Sequence, residues 1–327
     1  MGDRRQSAAG TARQIADPAG LLANWVAADP VSLKLLNELR RIAASASTVL
    51  VRGESGTGKD LLASLLHYLG PHSEQPLVKI DCASLPLELV ESELFGYERG
   101  AFTGATQMKR GRLEMAAEGT IVLDEVAALS MAMQAKLLRV IEEKRFERLG
   151  GTRAIPVEAR IVALTNVDLE RAVARRSFRE DLYYRLNVIP VVVPALRERP
   201  GDIAPLAERF LAQLADMHRK PRLSFGPGVL TALENYSYPG NVREMRNLLE
   251  RAVVYATPPE LALSDLPPHV REAAQPASGK KMSLEELERA YIAEVLDYTR
   301  GKKSQAAQIL GISRKTLLEK RKKYGLE

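Results

Sequence analysis

The sequence predicts an α/β protein: a parallel sheet covered by helices on both faces, followed by a small helical lid and a C-terminal all-α unit. Three observations predict it. Short β-branched runs at 48–51, 77–80, 121–123, 161–164 and 188–193 alternate with amphipathic stretches of helical period, as parallel strands joined by crossover helices require. After Pro194 the β signal stops, and helical patterns at 205–215, 228–236 and 241–254 follow, separated by Pro and Gly. From residue 283 onward a basic stretch with its own helical pattern closes the chain.

In chain order, residues 1–20 are polar, Arg-containing and rich in Ala and Gly, and are expected to form a disordered tail. Apolar residues at helical spacing over 31–44 begin the first helix, and the run at 48–51 is the first strand. Residues 145–157 carry Gly150-Gly151 between two short extended segments, which predicts a hairpin inserted before the fourth strand. Pro258, Pro259, Pro267, Pro268, Pro276, Ser278 and Gly279 crowd a stretch poor in periodicity, expected to be a linker. The resulting boundaries are a tail at 1–20, an α/β subdomain at 21–195, a helical lid at 196–257, a linker at 258–282 and a C-terminal domain at 283–327.

With 327 residues and 46% hydrophobic content the chain can bury a sizeable core. No apolar run approaches the roughly 18 residues needed to cross a bilayer, and the N-terminus lacks a signal-peptide core. The single cysteine, Cys82, excludes an internal disulfide and a cysteine metal cluster. A soluble protein of the reducing cytoplasm, with no membrane partner, is expected. The net charge of +6 is mild, but Arg300, Lys302, Lys303, Arg314, Lys315, Lys320, Arg321, Lys322 and Lys323 face only Glu319 and Glu327. That block reads either as a nucleic-acid footprint or as a solvated helix face.

Gly53, Glu54, Ser55, Gly56, Thr57, Gly58 and Lys59 follow the first strand and open a helix, the context a phosphate-binding loop requires. Glycines let backbone amides converge on phosphate oxygens, the helix N-terminus adds positive dipole, and Lys59 can reach the β and γ phosphates of ATP. Asp60 stands where a Ser or Thr hydroxyl usually meets the metal; its carboxylate can hold Mg2+ through water. The apolar strand before Asp124 and Glu125 ends in two adjacent carboxylates, which strand alternation sends to opposite sides. Asp124 is therefore assigned to Mg2+ and Glu125 to the attacking water. Thr165 and Asn166 end the next strand, where they can touch the γ phosphate or serve a turn. Arg179 and Arg185 can act as fingers on a neighbour's γ phosphate, an effect of about 10³ to 10⁵ in rate, or can form surface ion pairs with Glu180 or Asp181.

Residues 304–318 read as helix, glycine turn, helix. Ala306 and Ala307 allow close packing, Gly311 permits the turn, Ser313 caps the second helix, and Leu317 and Leu318 face inward. Arg314, Lys315, Lys320 and Lys322, with Ser313 and Thr316, are then placed for double-stranded DNA, read as paired half-sites by a dimer. A plain packed helical hairpin is the alternative.

GESGTGKD, ESELFGYERGAFTGA, GTIVLDEV, FREDLYYRLNVIPVVVPALRERPGDI and YPGNVREMRNLLERAV stand in one order along the chain. Together they resemble the AAA+ ATPases of the bacterial enhancer-binding family, the NtrC-like activators of sigma-54 RNA polymerase, over residues 30–327. The resemblance implies that Phe102 and Thr103 of the GAFTGA loop contact sigma-54 and that the hairpin near Gly150 is the companion loop. It also implies that Thr165 and Asn166 form sensor I, that Arg179 and Arg185 are trans-acting fingers, and that Arg243 is sensor II of the lid. The C-terminal unit resembles the Fis-type helix-turn-helix that closes this family. The family forms hexameric rings with ATP at each subunit boundary. Asp81 departs from the family, many of whose members carry an Asn there that restrains the catalytic glutamate.

The function expected is ATP-driven activation of transcription: binding of upstream DNA and remodelling of the sigma-54 holoenzyme. A DNA-binding regulator using ATP only as a conformational ligand is the competing reading, and an AAA+ unfoldase or helicase fits the core but not the combination of loop and DNA reader. Relatives commonly place a sensory or phosphate-receiving domain before the ATPase. The residues preceding it here are too few for one, so regulation is expected either from a separate protein or from a region outside this chain.

Overall fold

The computed structural model describes residues 25–84, 86–220, 223–274, 284–299 and 302–325. The tail at 1–20, residues 21–24 of the α/β subdomain, Pro276, Ser278 and Gly279 of the linker, and Ser283, Arg300 and Glu327 lie outside the described residues.

Five parallel strands form one sheet: β1 (Val49–Arg52), β2 (Leu77–Asp81), β3 (Thr120–Asp124), β4 (Arg160–Thr165) and β5 (Ile189–Val192). Their spatial order is β2-β3-β4-β1-β5. Each strand is the one expected from its β-branched run. Side-chain alternation divides the sheet between two cores. Val49, Val51, Val122, Val162, Leu164 and Val191 face one side, where α1 (Pro30–Ala43) and α2 (Lys59–Tyr68) contribute Leu35, Leu39, Leu62 and Leu66. Leu50, Ile80, Ile121, Leu123, Ile161 and Ala163 face the other. There α3 (Leu87–Phe95), α4 (Met131–Glu143), α5 (Leu169–Ala174) and α6 (Glu180–Leu186) supply Val90, Leu94, Leu137, Leu169 and Leu182.

Parallel strands end at one edge of a sheet, and ligands of open α/β folds bind beyond that edge. Gly53 follows β1, and Asp81, Asp124 and Thr165 are the last residues of β2, β3 and β4. Residues scattered over more than a hundred positions are thereby brought to one rim.

Phe178 packs into the second core at 2% exposure, immediately before Arg179. Phe178→Ala is expected to cost about 3–5 kcal/mol of stability; urea unfolding measures it, and a loss below about 1 kcal/mol would mean the site collapses around the gap.

The hairpin forms as expected, Arg145–Glu147 pairing antiparallel with Ala154–Pro156. The lid consists of α7 (Ile203–Met217), α8 (Val229–Asn235) and α9 (Asn241–Tyr255) around a core containing Leu206, Leu233, Tyr238 and Leu249. One expectation is corrected. Residues 258–274 belong to the lid rather than to a linker: Glu260–Leu261 pairs with Ser224–Phe225, and Leu261, Leu266 and Val270 are buried in the lid core. Three isolated apolar residues between prolines carry no period, yet each fills a place in the core. The compact unit ends at Ala274.

The second unit contains α10 (Leu284–Tyr298), α11 (Lys303–Ile309) and α12 (Arg314–Tyr324) around Ile292, Val295, Ala306, Ala307 and Leu317. Gly311 makes the turn at φ +65°. Leu318, expected inside, is 44% exposed; adjacent leucines on one helix lie too far apart around its axis for both to face so small a core.

Candidate nucleotide site and its two outputs

The phosphate loop is held by its own backbone and by the lid. Lys59 donates to the carbonyls of Gly53 at 2.9 Å and Glu54 at 3.1 Å, and Thr57 Oγ1 donates to Glu54 O at 2.9 Å. Burial pulls the Lys59 ammonium below its ordinary value, against the opposing charges of Glu125, Asp124 and Asp60. Gly58 is the N-cap of α2 and no side chain caps that helix, so its first amides face the loop, where an anion is favoured. Gly56 has φ +79°, and a Cβ there would collide with the Gly240 carbonyl of the lid. Glycine is needed at that point both for the dihedral and for the close approach.

Asp124 lies at the end of β3 with its side chain 15% exposed, and its Oδ2 pairs with Lys79 at 3.0 Å. Lys79 also pairs with Asp60. Glu125 diverges from Asp124, but strand alternation is not the cause. β3 ends at Asp124, and Glu125 adopts a left-handed conformation at φ +50°. A non-glycine residue held there is strained, a common property of functional positions. Glu125 Oε2 accepts from the backbone N–H of Asn166 at 3.3 Å, so the ends of β3 and β4 meet. Thr165 is fully buried, its hydroxyl accepting from the Val167 amide at 3.0 Å. Asp81 also borders the crevice, its Oδ1 accepting from the amides of Ala83 and Ser84. The neighbouring Cys82 is buried, and burial pushes its thiol up to about 12, so it is an inert filler at neutral pH.

The lid closes over the loop through residues that motif reading did not single out. Arg197 makes a two-pronged pair with Glu54 at 2.5 and 2.8 Å. Asn241 donates to Glu54 Oε2 and to Ser55 O, both at 3.1 Å. Buried Arg199 donates to Thr57 O at 2.7 Å and lies over the Trp25 ring. Arg243, expected at the nucleotide, donates to Ser55 Oγ at 2.9 Å. Arg197 and Arg199 lie in the Leu-Arg-Glu-Arg run after β5, where two arginines separated by one residue before a lid helix were the available signal. The Glu54 carboxyl is held at about 2, first by hydrogen bonds from Arg197 and then from Asn241. Its folded value lies below the ordinary value near 4.3, so its stabilisation is complete above about 4.3 and lost as pH falls toward 2. The latch is fully formed at neutral pH.

Arg179 pairs with Asp181 at 2.7 Å, and Arg185 with Glu142 at 3.0 Å. Neither borders the crevice around the chain's own phosphate loop. The surface ion pair and the finger are thus compatible: both guanidiniums are held exposed by single carboxylates.

Phe102 is 47% exposed and makes an edge-on contact with Tyr97 at 4.9 Å between ring centroids. Thr103 beside it is exposed. The turn closes through Gly100 N to Ala105 O at 2.8 Å and Ala105 N to Phe102 O at 3.0 Å. Gly100 and Gly104 have φ +84° and +105° with nothing within 4 Å of a notional Cβ, as a projecting tip requires. The companion hairpin touches this loop: Glu98 N donates to Leu149 O at 3.0 Å, and Arg148 pairs with Glu98 at 2.6 Å.

In the second unit Ser313 caps α12, its Oγ accepting from Thr316 N at 3.0 Å. Ser313, Arg314, Lys315 and Lys322 are exposed and Thr316 is half-buried. Lys320 pairs with Glu288 of α10, so part of its charge is spent inside the unit. No helix among the described residues is long and apolar enough to cross a membrane.

Comparison with known proteins follows the same division. Residues 26–192 match the sigma-54 interaction domain, 197–283 the AAA+ ATPase lid domain, and 283–324 the bacterial regulatory protein, Fis family. The regulatory protein AtoC of Escherichia coli K12 is 41% identical over 91% of this chain and 67% of its own length. The transcriptional regulatory protein ZraR of Salmonella typhimurium LT2 is 44% identical over 90% of the chain and 67% of its own. Crystal structures of NtrX from Brucella abortus are similar at TM-score 0.71 and 32% identity, over 94% of this chain and 71% of that one. The form in complex with ATP aligns at TM-score 0.69 and 35% identity, over 92% and 69%.

Proposed function

The chain belongs to the sigma-54-dependent transcriptional activators, AAA+ ATPases with a Fis-type DNA-binding domain, and from that premise we propose how its residues divide the work. It binds upstream DNA and uses ATP hydrolysis to remodel the sigma-54 RNA polymerase closed complex. The observation that carries the coupling is that α3, which follows β2 and its rim residue Asp81 in the chain and leads to the loop bearing exposed Phe102 and Thr103, is anchored in the core by Val90, Leu94 and Phe95. A change at the rim would reach the tip along this path.

The phosphate-loop amides and Lys59 bind the triphosphate, Arg243 and the Glu54 latch close the lid on it, and Glu125 takes the proton of the attacking water. The Asn166 backbone N–H, donating to Glu125 Oε2, holds the carboxylate in place. Water oxygen bonds to the γ phosphorus, the bond to the β-phosphate oxygen breaks, and ADP and phosphate result. Mg2+ needs one or two carboxylates, with phosphate oxygens and waters completing its shell. Asp60 and Asp124 converge on the single ammonium of Lys79, so the pair is spaced for one cation and fits the ion. Asp60 and Asp124 would hold the ion, which would supply charge neutralisation for the transferring phosphoryl group. Arg179 and Arg185 act on the nucleotide of a neighbour in a hexameric ring. This chemistry, with the buried thiol of Cys82, suits the cytoplasm.

The test is open-complex formation with purified sigma-54 holoenzyme. Heparin-resistant complexes are expected with ATP and none with a non-hydrolysable analogue. Equal activation by the analogue would favour nucleotide as a conformational ligand only.

In a dimer the exposed cations Arg314, Lys315 and Lys322 of each protomer imply roughly six neutralised phosphates, with Ser313, Thr316 and Lys320 as further DNA contacts. Affinity is expected to fall about 10³-fold between about 50 and 200 mM salt. Fluorescence anisotropy over a salt series measures this, and a flat response would remove the phosphate contacts.

A further inference from the structure

The Lys79 ammonium lies between Asp60 and Asp124, 3.0 Å from Asp124 Oδ2 and bonded to Asp60 Oδ1. We propose that Lys79 is a tethered counter-ion that holds these two carboxylates together before a divalent ion arrives and competes with that ion for them. It thereby sets the metal concentration at which nucleotide binding becomes metal-coupled. The inference rests on the nucleotide and Mg2+ reading given above and adds a positioning residue to it.

Three features support it. Lys79 is the middle residue of β2, and alternation puts its side chain on the side of Leu77 and Asp81, away from buried Val78 and Ile80. The lysine therefore lies on the sheet face that α2 covers, the side of Leu77, next to β3, where Lys79 stands opposite Val122 and Asp81 opposite Asp124. The two acids come from different elements, Asp60 from the first turn of α2 and Asp124 from the end of β3. Without an intervening cation two carboxylates aimed at one point repel each other. Finally, Lys59, the other lysine at this rim, is turned to the carbonyls of Gly53 and Glu54. Lys79 is accordingly the cation bonded to the acid pair.

A divalent ion reaching Asp60 and Asp124 must displace this ammonium from at least one of them, since two cations cannot share the same facing oxygens without repulsion. Lys79→Gln removes the competitor and keeps a side chain of similar reach, while Lys79→Arg keeps the charge. The experiment titrates Mg2+ into the 327-residue chain with a fluorescent ADP analogue held below saturation, and separately counts bound Mn2+ by electron paramagnetic resonance. For Lys79→Gln the half-saturating metal concentration is expected to fall about 5- to 10-fold, the scale of one or two partly exposed ion pairs. Lys79→Arg is expected to stay within about twofold of the wild type. An unchanged or raised half-saturation in Lys79→Gln, with folding intact by circular dichroism, would overturn the competition. A wild-type chain whose nucleotide binding ignores Mg2+ would remove the underlying reading of the site, and this proposal with it.

Discussion

Arg179→Ala and Arg185→Ala are each expected to lower ATP turnover by about 10³-fold or more, the range removed with an arginine finger, while nucleotide affinity and the unfolding midpoint stay near the parent values. The reason for the unchanged midpoint is local. Each guanidinium is exposed and held by a single carboxylate, Asp181 or Glu142, and exposed pairs of that kind contribute about 0 to 1 kcal/mol. A large kinetic loss beside a negligible stability loss would therefore locate the effect in the reaction. Its origin in a second subunit can be read by mixing. A chain with Arg185→Ala keeps its own phosphate loop and Glu125, and a chain with Glu125→Gln keeps its own fingers. In rings containing both, the second repairs the site of the first, so turnover should exceed the mean of the two separate proteins and rise steeply with total protein. A mixture no more active than that mean would place the arginines in their own subunit's chemistry.

The legible part of the molecule is the part governed by period and local chemistry. Five strands, the inserted hairpin, the lid helices and the two-helix DNA reader were all present as β-branched runs, helical spacing, or glycine at a turn. The phosphate loop and the Asp124-Glu125 pair were legible because each is contiguous in sequence. What could not be read is what depends on distant partners. Asp60 meets Asp124 through Lys79, and nothing in a lone lysine on a strand announces that it will stand between two acids from separate elements. The latch of Arg197 and Asn241 on Glu54 joins positions more than 140 residues apart, and each of the three has an ordinary surface reading alone. Local backbone also defeated the alternation argument at Glu125: the two carboxylates do diverge, but through a left-handed residue beyond the strand, which pattern rules for strands do not describe.

Thr103→Ala should abolish open-complex formation while leaving ATP turnover within about 2-fold, the range for an exposed substitution away from the reacting atoms. Thr103 is exposed at the tip of a turn whose flanking glycines have nothing within 4 Å of a notional Cβ, so its loss leaves the turn's own hydrogen bonds and the rim intact. Phe102→Ala is expected to reduce activation by at least about 30-fold, corresponding to an interface hot spot of about 2 kcal/mol. That second change also removes the edge-on contact with Tyr97, and Phe102→Leu separates the two contributions: it keeps apolar bulk for the partner but not the ring-to-ring geometry. Recovery with leucine would mean that the tip acts as an apolar contact surface, whereas failure of leucine would assign the aromatic pair a part in holding the loop's shape. The proteins are compared by single-round transcription and phosphate release in the same reactions. If Thr103→Ala activates as well as the parent, hydrolysis is being transmitted through some other surface, and the path from Asp81 through α3 loses its output. If turnover falls together with activation, the loop feeds back on Glu125, and the companion hairpin becomes the element to test through Arg148→Ala, since Arg148 ties Glu98 at the base of the loop to Glu114.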